Sequence, residues 1–173
     1  MIKRLLCATL ALASVGLLVA ADAFTGSWKL DVAKSTFASD NPAPQELTLT
    51  FTEQGANRTQ ILKGIAADGR ATSTAWTAPM TGGAANFPAG QGPNGGASVA
   101  MVDDTTLVMT QNHPNGKSGA SRTYQVSADG KTLTLIQKRE DGQERARMVF
   151  SANKLERPTD AVLCRWPLNP RPE

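Results

Sequence analysis

The sequence predicts an all-β chain: a single antiparallel up-and-down β-barrel of about eight to nine strands, with little helix. Three observations predict it. "QELTLTFTE" (45–53) alternates strictly, with Leu47, Leu49 and Phe51 on one face and Thr48, Thr50 and Thr52 on the other. "KTLTLIQKRE" (131–140) repeats the pattern, and a period of two marks a half-buried strand. "ADGR" (67–70), "PNGK" (114–117), "ADGK" (128–131) and "EDGQ" (140–143) supply the positive φ that tight hairpins need. The third is the length of the meander. Its two edges stay unpaired unless the sheet closes, and closure removes them.

The chain opens on a leader, not on the fold. Lys3 and Arg4 precede an apolar run, Leu5 to Ala21, and small residues follow at Ala21 and Ala23. That order of charged, apolar and small residues is a secretory signal peptide, expected at 1–23 with Ala21 as the alternative cleavage point. The apolar run is at the lower edge of spanning length and rich in Ala, which argues against a membrane anchor. Cys7 lies too early in the run for lipidation. The mature protein is therefore expected outside the cytoplasm, periplasmic or secreted, with no transmembrane segment after cleavage. About 150 residues remain, the size of one domain.

The elements follow in order. The first strand is expected at 24–30, with one short helical turn inside "LDVAKSTF" (30–37). Strands at 45–53, 57–66 and 70–78 come next, the last two separated by the Asp68-Gly69 turn. "APMTGGAANFPAGQGPNGG" (78–96) breaks the rhythm and is long for a hairpin connection. It reads either as a lid at the barrel mouth or as a floppy loop with a short strand at "NFPA" (86–89). Strands at 97–102, 105–112, 119–127, 131–139 and 144–152 complete the domain, whose bounds are 24–155. Residues 156–173 hold four prolines and are expected to form an extended, partly disordered tail, which Trp166 could dock onto the barrel. Cys164 is the one cysteine left after cleavage, so no internal disulfide is expected. It is either a buried small residue or a tail thiol able to pair between chains.

Gly26-Ser27-Trp28 stands at the head of the first strand. Together with "GSWKLDVAKSTF", the Pro42-x-Pro44 step before a Thr-rich strand and "VSADGKTLTL", it resembles the small exported bacterial lipocalin-like proteins of unassigned function, calycin-type β-barrels. The resemblance spans 24–153. It implies that Gly26 permits a tight bend, that Trp28 closes one end of the barrel, and that Arg147, or else Arg145, lies across the indole. Such a cation–π contact is worth roughly 0.5–2 kcal/mol. It carries no activity over. Ligand binding is implied only by analogy with the broader fold.

Chemistry is sparse. His113 is the only histidine and precedes Pro114 at a hairpin tip, so neither a metal site, a haem ligand nor a Ser–His–Asp triad is expected. Asp68, Asp103, Asp104, Asp129 and Asp141 cluster at turns, which explains them without catalysis. "GQGPNGG" lacks the Lys and the helix of a phosphate loop. Of 18 basic and 15 acidic residues, Lys3, Arg4 and Asp22 leave with the leader, so the mature chain is near neutral and nucleic acid is not an expected partner. No cofactor is expected, and the protein is not read as an enzyme.

The expected function is binding a small apolar or amphipathic ligand as an exported monomer. Leu49, Phe51, Trp76, Met109, Tyr124, Leu135 and Phe150 are the interior residues expected to line the ligand site. Arg58, Arg122, Lys138, Arg139, Arg145 and Arg147 sit on strands, as solvated decoration or as a cationic mouth for an anionic head group. The alternative is an envelope protein-interaction module, an inhibitor-type barrel acting through 78–96 and the tail. A roomy interior favours the first reading and a filled one the second.

Overall fold

The computed structural model describes residues 22–153. Ten strands follow one another: β1 (Gly26–Phe37), β2 (Glu46–Gln54), β3 (Asn57–Ile65), β4 (Ala71–Pro79), β5 (Gly83–Ala85), β6 (Ala97–Asp103), β7 (Thr106–Asn112), β8 (Ser118–Val126), β9 (Thr132–Lys138) and β10 (Glu144–Asn153). All pair antiparallel in the order β4-β3-β2-β1-β10-β9-β8-β7-β6-β5. Every neighbour in space is a neighbour in sequence, except that β1 pairs with β10 and so joins the two ends of the chain. The result is the all-β up-and-down barrel, with one strand more than expected. The extra strand is β5, three residues inside the long 78–96 connection.

The hairpins show why the turn signals work. Gly69, Gly116, Gly130 and Gly142 have φ of 82, 78, 65 and 81°. Only glycine takes positive φ among the described residues; the loops at Gly69, Gly116 and Gly142 are three residues long and end on that Gly, while the loop between Ser127 and Thr132 has four residues with Gly130 third. The residue before each Gly holds the turn with its side chain. Asp68, Asn115, Asp129 and Asp141 each accept from the backbone N–H two residues on.

The expected helical turn in 30–37 is instead a bulged strand. The register of β1 against β10 shifts between Asp31 and Thr36. Ser35 Oγ donates to the Asp31 carbonyl at 2.7 Å and accepts from the Val149 N–H at 2.9 Å. The hydroxyl fills a place in the ladder, so the strand continues through a sequence that has no alternation of its own.

Alternate residues of every long strand point inward. Leu47, Leu49 and Phe51 of β2 meet Trp76 and Ala78 of β4, Leu107 and Met109 of β7, Tyr124 and Val126 of β8, Leu133 and Leu135 of β9, and Met148 and Phe150 of β10. Phe51 stands edge-on to Phe24, Trp76 and Tyr124, with ring centres 5.5, 6.2 and 5.6 Å away. Such T-shaped contacts add to what burial alone contributes.

The end where β1 enters is closed by Phe24 and Trp28. Phe24 is fully buried, and its carbonyl accepts from Trp28 Nε1 at 2.9 Å. Arg147 does not lie on this indole, which corrects the expectation. Ala146, Met148 and Phe150 take the inward positions of β10, so Arg147 between them points outward, and Arg145 sits at the bulge between Glu144 and Ala146, at the end of the barrel away from Trp28. Trp28 pairs with Ala152, five residues from Arg147, and Arg147 forks onto Glu144 at 3.0 and 2.9 Å. The cation at this end is Arg58 of β3, 4.9 Å from the centre of the Phe24 ring.

Candidate functional site

The opposite end of the barrel is open, and its geometry follows from the β4–β5 seam. These strands meet through a single bridge, Thr77 with Asn86, whose two backbone hydrogen bonds are both 2.8 Å. Beyond it the chain leaves the sheet and turns back over the mouth. Gln91 Oε1 accepts from the Ala75 N–H at 3.2 Å, supplying a partner where no strand does. Gly92 has φ +92°, and a Cβ there would come within 2.5 Å of Phe87 Cγ. The ring of Phe87 thus packs onto a bare backbone that only glycine offers. The 78–96 segment is tied to the barrel by the Thr77–Asn86 bridge, by the Gln91–Ala75 bond and by the pairing of β5 with β6. Its short strand is at Gly83–Ala85, not in "NFPA".

Under this segment lies a cavity of about 290 Å³. Phe87 and Pro93 of the loop and Met109 of β7 make its apolar walls. Thr74, Gln91, Gln111 and Arg122 bring polar groups to it. A second cavity of about 110 Å³ shares Gln111 and Arg122 and adds Lys138, Arg139 and Arg145. Arg139 pairs with Asp40. Among the described residues no carboxylate lies within ion-pair distance of Arg122, Lys138 or Arg145. An apolar chamber therefore adjoins a cationic rim, and Arg122 belongs to both.

The seven residues expected at a ligand site are all brought together, but as packing. Leu49, Phe51, Trp76, Tyr124, Leu135 and Phe150 fill the interior, each 2% exposed or less, and Met109 alone lines the 290 Å³ cavity. Tyr124 donates to Gln60 Oε1 at 3.4 Å inside this core. Burial raises the Tyr124 phenol above its ordinary value, against the opposing pull of Arg122. Gln60 Nε2 and Trp76 Nε1 are buried donors with no protein acceptor. Phe87, Gln91 and Gln111 were not singled out from the sequence. Phe87 carried a usable signal, since it is the one aromatic in a Gly-, Pro- and Asn-rich stretch.

His113 stands at the β7–β8 hairpin, as expected, with Nε2 3.3 Å from Glu140 Oε2. Asp103 accepts from the Thr105 N–H at 2.8 Å and from its hydroxyl at 2.9 Å, a turn role. Cys164, Trp166 and the rest of the tail lie outside the described residues.

The chain matches no known protein family, and no curated protein matches it. Solved structures do show similarity. A redesigned β-barrel, mFAP1, bound to DFHBI aligns over 75% of this chain and 94% of its own at 12% identity and a TM-score of 0.41. Zebrafish ileal bile acid-binding protein complexed with cholic acid aligns over 76% and 99% at 14% identity and a TM-score of 0.45. A de novo designed fluorescence-activating β-barrel aligns over 78% and 97% at 16% identity and a TM-score of 0.39.

Proposed function

We propose that this protein, exported and monomeric, binds a small amphipathic ligand at the open end of its barrel, as a carrier or sensor and not as a catalyst. The apolar part of the ligand packs against Phe87, Pro93 and Met109, and its anionic or acceptor-rich end faces Arg122. One observation carries the reading: Met109, Phe87 and Arg122 line the same 290 Å³ cavity. That volume, about 290 Å³, falls just short of the usual range for small-molecule pockets, roughly 300–1,000 Å³, and suits a small ligand. By the interior alone, the packed side chains below Met109 favour the interaction module; the cavity above them is what favours a ligand, held at the mouth and not inside the barrel. A guanidinium offers a carboxylate two parallel donors, which fixes orientation as well as adding affinity.

The test is displacement of a hydrophobic dye from delipidated protein by medium-chain carboxylates and by the matching alcohols. Arg122→Met should weaken carboxylate binding by about tenfold or more and leave the alcohols nearly unchanged. Met109→Trp should fill the cavity and block both. Unaltered melting curves would show that each variant folds. Absence of saturable binding by any amphipathic probe would overturn the proposal and favour a protein-interaction role for the loop.

A further inference from the structure

The end of the barrel where β1 enters carries a buried cation with one counter-ion. Arg58 is 3% exposed. Its guanidinium lies over the Phe24 ring and contacts Met101 Sδ at 3.0 Å, and its carboxylate partner is Asp22. Asp22 is itself held in a turn. Its Oδ1 accepts from the Phe24 N–H at 2.7 Å, and its carbonyl accepts from the Thr25 N–H at 3.1 Å. Phe24 then packs on Phe51, and its carbonyl takes the Trp28 indole N–H. Residues 22–28 make one plug, and Asp22 is its charged corner.

Two bonds in the sequence satisfy the small-residue pattern for leader removal: one follows Val19-Ala20-Ala21, the other Ala21-Asp22-Ala23. They differ in what they leave beside Arg58. Cutting after Ala23 deletes the carboxylate and sets the new α-ammonium of Phe24 next to the guanidinium. Two cations would then share one buried place, and a buried charge stripped of its partner is strongly destabilising. Cutting after Ala21 keeps the pair. We infer that the leader is removed between Ala21 and Asp22, so that Asp22 begins the mature chain and remains the resident counter-ion of Arg58. This rests on the export reading. The step is a hydrolysis by a leader-removing endopeptidase. Water adds across the Ala21–Asp22 peptide bond, the Ala21 carbonyl becomes a carboxylate, and the Asp22 nitrogen becomes an α-ammonium.

The experiment expresses the full 173-residue precursor in a bacterium and takes the intact mass and N-terminal sequence of the product. A chain beginning at Asp22 is expected. A chain beginning at Phe24, or at any other residue, overturns the inference while leaving export standing. Full-length protein held in the cytoplasm overturns both. A second measurement tests the reason. Asp22→Asn in the precursor should lower the Tm of the exported protein by about 10 °C, and the same change on an Arg58→Met background should lower it by far less. If Asp22→Asn alone fails to accumulate, Asp22→Asn/Arg58→Met should restore accumulation. An unchanged Tm, or a double variant that is not restored, overturns the counter-ion role.

Discussion

The guanidinium carbon of Arg58 lies 4.9 Å from the centre of the Phe24 ring, so a β3 cation stacks on a residue that precedes β1. The ring is fully buried, and the cation is nearly so. Desolvation strengthens such a contact, to about 2 kcal/mol. Phe24→Leu and Arg58→Met should each change stability, and the two should fall short of additivity by roughly 0.5–2 kcal/mol in denaturant unfolding. Strict additivity would show that the stack contributes nothing beyond packing.

Trp28→Ala should cost roughly 3–5 kcal/mol, because it empties a buried indole site and leaves the Phe24 carbonyl without its donor. Arg147→Ala should cost at most about 1 kcal/mol, since its side chain is 45% exposed and its partner Glu144 is a surface group. The pair should be additive within about 0.5 kcal/mol, because the residues point to opposite faces of the sheet. A large coupling measured by urea unfolding would contradict the outward placement of Arg147.

Tyr124 is the only tyrosine, so tyrosinate absorbance reports on one group. Burial raises its pKa in the fold, while the unfolded chain ionises near the ordinary value of about 10. Between the two values the native state holds a proton that the unfolded state has lost. Stability is therefore fully present below the unfolded pKa and falls as pH rises from there through the folded one. The absorbance should rise together with loss of β-structure by circular dichroism. Ionisation at an ordinary pH in a folded barrel would place the phenol in solvent.

Gly92→Ala should displace the loop more than it unfolds the barrel. A Cβ there meets Phe87 at 2.5 Å, at a φ of +92° that side chains rarely adopt. The expected outcome is dye binding weakened by about tenfold with a Tm shift of only a few degrees. Equal losses of binding and of fold would show that the 86–93 segment belongs to the core.

Much of the fold is written in short-range patterns. Leu47, Leu49 and Phe51 face inward because a strand alternates, and Asp-Gly turns set the hairpins because glycine reaches positive φ. The bulge at 31–36 could not be read this way. Ser35 completes the ladder through Val149, which is distant in sequence, so nothing local marks it. The candidate site was legible only in part. Met109 carries a strand pattern and Arg122 a charge, but Phe87 and Gln91 join them through a loop whose path depends on where β4 runs out of partners.

By itself the sequence determined the strands, the hairpins and the inward face, since each depends on residues within a few positions of one another. Only the tertiary structure decided which cation meets which aromatic ring, and where space is left. Closing β1 onto β10 sets both faces at once, turning Arg147 to solvent and leaving the Phe24 ring to Arg58 of β3. The same closure drives Phe51, Trp76 and Tyr124 against one another in the interior, and the 290 Å³ cavity lies at the mouth beside Met109. Packing density is a property of side chains brought together from the whole barrel, and no local pattern encodes it.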